Sequence, residues 1–280
     1  MTTIDSHQHF WDPAKADYPW MTPEVEPLCR RFGPDHLLPL IRECGIERTV
    51  VVQARSDLEE TREFLTMAAS SGFVAGVVGW VDLASDQVGD MIDSLVSSSH
   101  GGYLVGIRHQ VENEPDPEWL LRATVLRGLR EVGKRNLAYD LLIKPRHLQV
   151  ATKVVQSLPD LRFVLDHVAK PQIAEGVLQP WQDDLKKLAQ LPNVWCKVSG
   201  MMGEAGPDWS PSQLQPYVNC VFEAFGSGRI MFGSDWPVST LRGTYAEILR
   251  GTEAALPVLS KEESAGVFGL NAIQAYRLSL

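Results

Sequence analysis

Residues 48–54 read RTVVVQA and residues 74–82 read VAGVVGWVD. Both stretches are rich in valine and alternate little between apolar and polar residues, which is typical of strands buried on both faces of a sheet. Similar runs begin near Ile4, Leu104, Leu137, Arg162, Val194 and Arg229. The eight starts lie roughly 25 to 44 residues apart, which leaves room for a helix after each strand. The pattern predicts an α/β fold, a (β/α)8 TIM barrel with a parallel eight-stranded core.

Amphipathic segments between the strands predict the helices of this barrel. One helix is expected from Pro34 to Cys44, with Gly45 as its stop, and another from a capping box of Ser56 and Glu59 to Gly72. Further helix starts are predicted at Asp116-Pro117, at Ser210-Pro211 and at Ser260 with Glu263. The competing fold, a doubly wound open sheet, is disfavoured because no glycine-rich phosphate-binding turn follows the first strand.

The composition limits the number of domains and the kinds of partner that the protein can have. The chain has 280 residues, of which 44% are hydrophobic and 22% charged, so residues 1–280 suit a single barrel domain with a sizeable core. The formal net charge is −9, and no run of Lys and Arg exceeds two residues. Nucleic acid and membrane surfaces are therefore not expected as partners, because both require a concentrated basic face. A homo-oligomer is compatible with the sequence.

The cysteines and the N-terminus bear on the cellular compartment. Cys29, Cys44, Cys196 and Cys220 form no C-x-x-C pair, which favours free thiols over a disulfide framework or a four-cysteine zinc site. No stretch has the ~18 uninterrupted apolar residues of a membrane span. The opening residues MTTIDSHQHF lack the apolar region of a signal peptide. We therefore expect a cytoplasmic protein.

Polar residues cluster at the C-terminal ends of the predicted strands, where barrel enzymes hold their active sites. His7 and His9 end the first strand and are two residues apart, so both rings point to the same face. Two imidazoles on one face make half of a metal site or a pair of donors for a carbonyl oxygen. The plain alternative is a pair of ordinary polar residues at a strand end.

Two further strand ends carry acid–base residues. Asp235 in FGSDWP ends the eighth strand, where a carboxylate is costly unless it is paired or used. A general base is the favoured interpretation, with a metal ligand or a turn cap as alternatives. Asp166 and His167 are neighbours in LDHVAKP, so strand geometry predicts that they point to opposite faces, and we expect His167 to point inward. The predicted catalytic residues are Asp235, His167, His7 and His9.

Residues around these groups are predicted to contact a substrate. The connection formed by residues 10–33 is long and rich in aromatic residues and proline, which suits a lid or a wall over the barrel mouth. Polar residues at other strand ends offer hydrogen bonds, although structural ion pairs and core packing are open alternatives for them. The predicted substrate-binding residues are Arg108, His109, Arg55, Tyr139, Trp11 and Trp236.

The motifs IDSHQHFW, GIRH, LDHVAKP, KVSG and FGSDWP occur in this order along the whole chain. Together they resemble the amidohydrolase superfamily, and most closely its lactonase branch. The resemblance implies a divalent metal, such as zinc, held by some of the residues His7, His9, His167 and Asp235. Two-metal members have a carboxylated lysine on strand 4, where this chain has Arg108 and His109, so a single metal is expected. The branch also includes members that work without metal.

The resemblance implies hydrolysis of a sugar-acid lactone, such as L-fucono-lactone, by a water molecule that Asp235 activates. Such a hydrolase would serve carbohydrate catabolism, and its partner would be a small-molecule lactone. Three alternatives stay open at this point. They are a non-oxidative decarboxylase of an aromatic or unsaturated acid, a metal-dependent amidase or phosphotriesterase, and a barrel that binds a ligand without chemistry.

Overall fold

A computed structural model describes residues 2–280 of the chain. They form eight parallel strands that hydrogen-bond in chain order, as in a (β/α)8 barrel, so the predicted fold is confirmed. The predicted strand starts agree with the structure to within one residue. The strands are β1 (Ile4–Gln8), β2 (Arg48–Val52), β3 (Val74–Gly79), β4 (Leu104–His109), β5 (Ala138–Leu141), β6 (Arg162–Leu165), β7 (Val194–Val198) and β8 (Ile230–Phe232).

Helices follow the strands and surround the barrel. Short 3-10 turns also occur, including Pro23–Leu28 within the 10–33 connection. The helices are α1 (Pro34–Glu43), α2 (Leu58–Ser71), α3 (Val88–Val96), α4 (Ala123–Lys134), α5 (Leu148–Ser157), α6 (Trp181–Ala189), α7 (Met201–Ala205), α8 (Pro211–Phe225), α9 (Tyr245–Ala255), α10 (Lys261–Ala265) and α11 (Asn271–Tyr276). No helix within residues 2–280 is both long and apolar enough to cross a membrane.

The barrel closes where the segment after β8 meets the end of β1. Gln8 and Trp236 form a parallel bridge. The amide of Asp235 donates to the carbonyl of His7 at 2.8 Å, and the amide of His9 donates to the carbonyl of Trp236 at 2.7 Å. These backbone hydrogen bonds fix the two strand ends that carry most of the predicted catalytic residues.

Two apolar layers hold the barrel together. The larger one lies between the strands and the surrounding helices. The smaller one fills the inside of the barrel at its lower end, by which we mean the N-terminal ends of the strands, and includes Val50, Val78, Val164 and Met231. Helix α11 packs into this smaller layer through Ala272, Ala275 and Tyr276 and closes the lower end.

Two predicted helix starts are wrong. Asp57, one residue after Ser56, caps α2, and its carboxylate accepts the amide of Glu59 at 2.9 Å. Asp116 instead precedes a short 3-10 turn, and α4 begins only at Ala123. The caps at Ser210 and Ser260 and the left-handed stop at Gly72 are confirmed. The four cysteines, Cys29, Cys44, Cys196 and Cys220, are free thiols.

Candidate active site

A bulge in β1 determines where the two histidines of the first strand point. From Asp5 to Gln8 the strand advances by three residues, whereas the facing strand β2 advances by two. Ile4 packs inside the barrel, so regular alternation would turn His7 toward the helices. The extra residue turns His7 inward instead. His9 then shares its face, and the Nε2 atoms of the two rings lie 3.1 Å apart.

The chain leaves β6 through a left-handed turn. Four consecutive non-glycine residues, His167 to Lys170, have φ angles between 48° and 62°. Such residues rarely adopt this conformation, which costs about 1–2 kcal/mol each. The prediction that Asp166 and His167 point to opposite faces is wrong, because strand geometry ends at Leu165. Both side chains are buried against His7.

Asp235 lies at the centre of the three histidines. Its Oδ1 atom is 3.4 Å from the Nε2 of His9, 3.8 Å from the Nε2 of His7 and 3.9 Å from the Nε2 of His167. Ligand atoms around a tetrahedral zinc with bonds of 2.0–2.1 Å are about 3.3 Å apart. Three of these residues, His7, His9 and Asp235, have ligand atoms within 4.8 Å of one another and could hold one divalent metal ion.

The outer nitrogens of two rings face acceptors that leave Nε2 free. The Nδ1 of His9 lies 2.7 Å from the carbonyl oxygen of Val52, to which it donates. The Nδ1 of His167 lies 2.9 Å from the hydroxyl of Ser199. Histidines that bind metals are held by such outer contacts in many proteins. The donor set thus fits a metal in its chemistry as well as in its distances.

Burial and neighbouring charges set the protonation of the cluster. Burial lowers the pKa of His167 to about 4. Burial, together with the charge of Lys197, lowers the pKa of His7 well below 6.5. Burial alone would raise the pKa of Asp235, but the adjacent histidines, His167 foremost, hold it below its usual value of 3.8. At neutral pH an ionised carboxylate therefore faces the neutral imidazoles of His7 and His167, which suits both proton abstraction and metal binding.

A buried network of charges lies directly beneath His7. The Nζ of Lys197 is 2.6 Å from the Oδ2 of Asp140, 2.9 Å from the Oδ1 of Asp166 and 3.1 Å from the Nδ1 of His7. The guanidinium of Arg108 donates to Asp166 at 2.9 Å and lies 3.3 Å from the Nε2 of His7. Two cations thus balance two carboxylates in the barrel interior, where a lone charge would be costly.

Lys197, Asp140 and Gln53 were not predicted as site residues, although Gln53 binds the Arg108 guanidinium. The sequence nevertheless indicates that Asp140 and Lys197 point into the barrel. Asp140 and Lys197 each stand two residues after an interior apolar residue of a buried strand, so the period of two places them inside the barrel as well. A charged residue in that position needs a charged partner, and the two of them supply it for each other.

A cavity of about 250 Å³ opens above the cluster. The 10–33 connection forms one of its walls, as predicted, through Trp11 and Trp20, and Arg108 lies at its floor. The opposite wall is polar, and there Lys170 forms an ion pair with Glu112 at 2.7 Å. The cavity residues are His9, Trp11, Trp20, Val25, Leu28, Ala54, Arg108, Gln110, Glu112, Asn113, Leu142, His167, Lys170, Asp235 and Val238.

Two of the predicted substrate-binding residues point away from this cavity. His109 stacks on Trp119 with ring centres 4.2 Å apart and pairs with Glu114, because it follows Arg108 on the strand and so faces the other side. Tyr139 precedes the inward-facing Asp140 and for the same reason lies in the outer apolar layer. The prediction that these two residues contact the substrate is wrong.

Trp236 and Arg55, two other predicted substrate-binding residues, have structural roles near the mouth of the barrel. Trp236 is buried and packs edge-on against Phe10 and Phe32, because its backbone closes the barrel. Arg55 forms an ion pair with Asp57 at 2.8 Å, which is the structural alternative that the sequence left open. Neither residue lines the cavity. The predicted contacts that remain beside it are Trp11 and Arg108.

The absence of a side chain at Gly200 leaves room for the His167 ring in the cluster. Its φ is +64°, and a Cβ added there would lie 2.6 Å from the Nδ1 of His167. We expect Gly200→Ala to reduce the free energy of unfolding by about 1–3 kcal/mol and to displace the His167 ring. Urea denaturation measures this loss. Gly203→Ala is the matched control, since a Cβ there meets nothing within 4 Å. Equal stability of the two variants would contradict the expectation.

The fold and the strand-end cluster are those of a barrel enzyme that works by acid–base or metal-assisted hydrolysis. Comparison with known proteins narrows this class. The amidohydrolase family model matches residues 4–278. Curated relatives named L-fucono-1,5-lactonase are 39% identical in Burkholderia ambifaria and 36% identical in Burkholderia multivorans. Both alignments cover 98% of this chain, together with 95% and 96% of the respective relatives.

Similarity to a solved structure also indicates an amidohydrolase. The crystal structure of an amidohydrolase from Burkholderia multivorans with bound zinc has a TM-score of 0.94 and 34% sequence identity, and the match covers 100% of both chains. This chain belongs to the amidohydrolase family, and the predicted resemblance is confirmed. The named relatives lie in the lactonase branch that the motifs indicated.

Proposed function

We propose that this protein hydrolyses a sugar-acid lactone to the free acid, and that L-fucono-1,5-lactone is its preferred substrate. The observation that carries the proposal is the position of the Asp235 carboxylate, which lies among three imidazoles at the floor of the cavity. The names of the two curated relatives support the choice of substrate. Hydrolysis of such a lactone would serve carbohydrate catabolism, as the sequence suggested.

The walls of the cavity match the two faces of such a substrate. A fuconolactone is the lactone of a 6-deoxy sugar acid, so it has hydroxyl groups along the ring and one methyl group. Trp20, Val25 and Leu28 form an apolar wall that suits the methyl group. On the polar side, Glu112 and Lys170 offer an acceptor and a donor for ring hydroxyls.

The first step is attack by water on the lactone carbonyl carbon. Asp235 accepts a proton from the water as its oxygen forms the new bond to carbon. The carbonyl oxygen gains negative charge in this step. Arg108, whose NH1 atom lies 3.3 Å from the Nε2 of His7 at the cavity floor, is placed to stabilise that charge, and a metal ion held by the histidines would add to this stabilisation.

The second step breaks the bond between the carbonyl carbon and the ring oxygen. The electron pair of that bond goes to the ring oxygen, and Asp235 returns its proton there, so the ring oxygen becomes a hydroxyl group. The product is the open-chain acid, which ionises in water. Asp235 ends the cycle as a carboxylate, ready for the next water molecule.

We propose that His7, His9 and Asp235, whose ligand atoms lie within 4.8 Å of one another, would hold a divalent metal such as zinc. His167, whose Nε2 lies 3.9 Å from Asp235, stays the fourth predicted ligand. Bound at this place, a metal ion supplies Lewis acidity and a lower pKa for a coordinated water. The lysine typical of two-metal sites is absent from β4, which ends in Arg108 and His109. That argues for one ion and against an amidase or phosphotriesterase with two.

The decarboxylase alternative has less support, since the relatives with 36–39% identity are named as lactonases. A barrel that only binds a ligand would have no need for an ionised carboxylate among neutral imidazoles, because an unpaired buried charge weakens the fold.

The function is tested by a pH-indicator assay against a panel of aldono-1,4- and 1,5-lactones, with protein that is zinc-loaded or chelator-treated. We expect acid release from L-fuconolactone in the loaded protein, at a rate that exceeds spontaneous hydrolysis. The chelator arm measures the contribution of the metal. A folded protein that releases no acid from any lactone would overturn the proposal, and aromatic acids would then be assayed for loss of carbon dioxide.

The apolar wall predicts a preference for a 6-deoxy substrate. L-Galactonolactone differs from L-fuconolactone only by a hydroxyl group on the last carbon, and we expect kcat/KM to be about 10- to 100-fold lower for it, since an apolar pocket rejects an added hydroxyl only moderately. Trp20→Ala opens the apolar wall and should reduce this ratio. Val258→Ala, at an exposed position, is the control. An unchanged ratio in Trp20→Ala would place the methyl group elsewhere.

A further inference from the structure

The C-terminal helix reaches the catalytic cluster from the lower end of the barrel. Tyr276 of α11 lies among the apolar residues that fill this end, and it is almost completely buried. Its hydroxyl donates to the Oδ2 atom of Asp140 at 2.7 Å. Asp140 is on β5, inside the barrel, and has no solvent exposure. A residue near the end of the chain thus touches the charge network beneath the active site.

The contact continues to a catalytic histidine in two steps. The same Oδ2 atom of Asp140 accepts from the Nζ of Lys197 at 2.6 Å, and that Nζ lies 3.1 Å from the Nδ1 of His7. The path from the Tyr276 hydroxyl to the His7 ring therefore consists of three short contacts. Every side chain along it is buried, so water cannot replace any of these partners.

Asp140 depends on this hydroxyl more than a carboxylate normally would. Its Oδ1 atom has no hydrogen-bond partner, so both donors, Tyr276 and Lys197, bind Oδ2. Loss of the hydroxyl would leave Lys197 as the sole donor and free the carboxylate to rotate. Lys197, whose ammonium is shared between Asp140 and Asp166, would then shift its position between the two carboxylates. Its distance to His7 would then change.

We propose that Tyr276 is a positioning residue of the active site, which holds His7 in place through Asp140 and Lys197. The kinetic consequence rests on the proposed lactone hydrolysis, whereas the effect on the His7 ring does not. Neither Tyr276 nor Asp140, the partner of its hydroxyl, lines the substrate cavity, so substrate binding should be unaffected. The C-terminal helix is then part of the catalytic apparatus as well as the closure of the barrel.

The test compares Tyr276→Phe with Tyr139→Phe. Both tyrosines are completely buried, but the Tyr139 hydroxyl has no partner and lies in the outer apolar layer. In Tyr276→Phe we expect kcat to fall about 10-fold with KM within about twofold of wild type, in line with the effect of residues that orient a catalytic group from behind. Tyr139→Phe should keep the wild-type kcat.

A spectroscopic readout makes the result independent of the substrate. Histidine ring nitrogens are labelled with 15N in chelator-treated protein, and the signals of His7 are identified by their loss in His7→Asn. We expect Tyr276→Phe to shift the His7 signals while those of His36, which is distant on α1, stay in place. If the wild type hydrolyses no lactone, the proposed function fails, and these spectra still decide the role of Tyr276. Unchanged His7 signals in folded Tyr276→Phe would overturn the proposal.

Discussion

Asp235→Asn is expected to lower kcat for lactone hydrolysis by about 10³-fold, within the range for loss of a general base. Asparagine keeps the volume of the side chain and the backbone bond from residue 235 to the His7 carbonyl, but it cannot accept the proton of the attacking water. KM should change little, because the groups that face the sugar are untouched. Initial rates over a range of substrate concentrations measure both constants.

Glu114→Gln is the matched control for this experiment. Glu114 is also a carboxylate after a barrel strand, but it pairs with His109 outside the cavity. We expect it to keep kcat near the wild-type value. Circular dichroism and thermal melting establish that both variants are folded. A folded Asp235→Asn protein with full turnover would exclude Asp235 as the base and transfer that role to another group of the cluster.

The largest effect on stability is expected from Lys197→Met. This substitution leaves Asp140 and Asp166 without their shared ammonium, and Arg108 alone cannot balance two buried carboxylates. Removal of one partner from a buried ion pair typically costs about 3–5 kcal/mol, and we expect a loss of that size in the free energy of unfolding. Equilibrium unfolding in urea measures it.

Two further variants show whether charge balance is the cause. The double variant Lys197→Met with Asp140→Asn removes one charge of each sign, so Asp166 keeps Arg108 as its partner and part of the stability should return. Lys134→Met serves as a surface control, since Lys134 is exposed and its partner Glu131 keeps Arg135 as a second partner, so its loss should leave stability close to wild type. A double variant that is no more stable than Lys197→Met would attribute the loss to packing instead.

The strands were predictable because they are buried on both faces. Runs such as RTVVVQA have no other plausible place in a chain of this composition, and eight of them at regular spacing specify the barrel. Helix starts were predicted less well. Ser56 and Asp57 are both good caps, and the choice between them depends on the path by which the chain leaves β2, which local sequence does not contain.

The site was predictable as far as strand alternation holds. Arg108 and His109 lie on opposite faces as period two requires, although the sequence did not show which of them faces the site. Alternation failed for Asp166 and His167, because the left-handed turn after Leu165 is held by tertiary contacts, including the indole of Trp181 on the carbonyl of Val168. No residue in that turn is a glycine, so its sequence carries no sign of the conformation.

The bulge in β1 also limits how this active site can be transplanted. A designer who copied IDSHQHF onto a regular barrel strand, with the isoleucine packed inside, would obtain two histidines that face the helices. The metal-binding or catalytic pair would be present in the sequence and missing from the pore. The transferable unit is therefore the strand together with its extra residue and with the segment after β8 that pairs with it, and it is too large to be represented by the motif H-x-H.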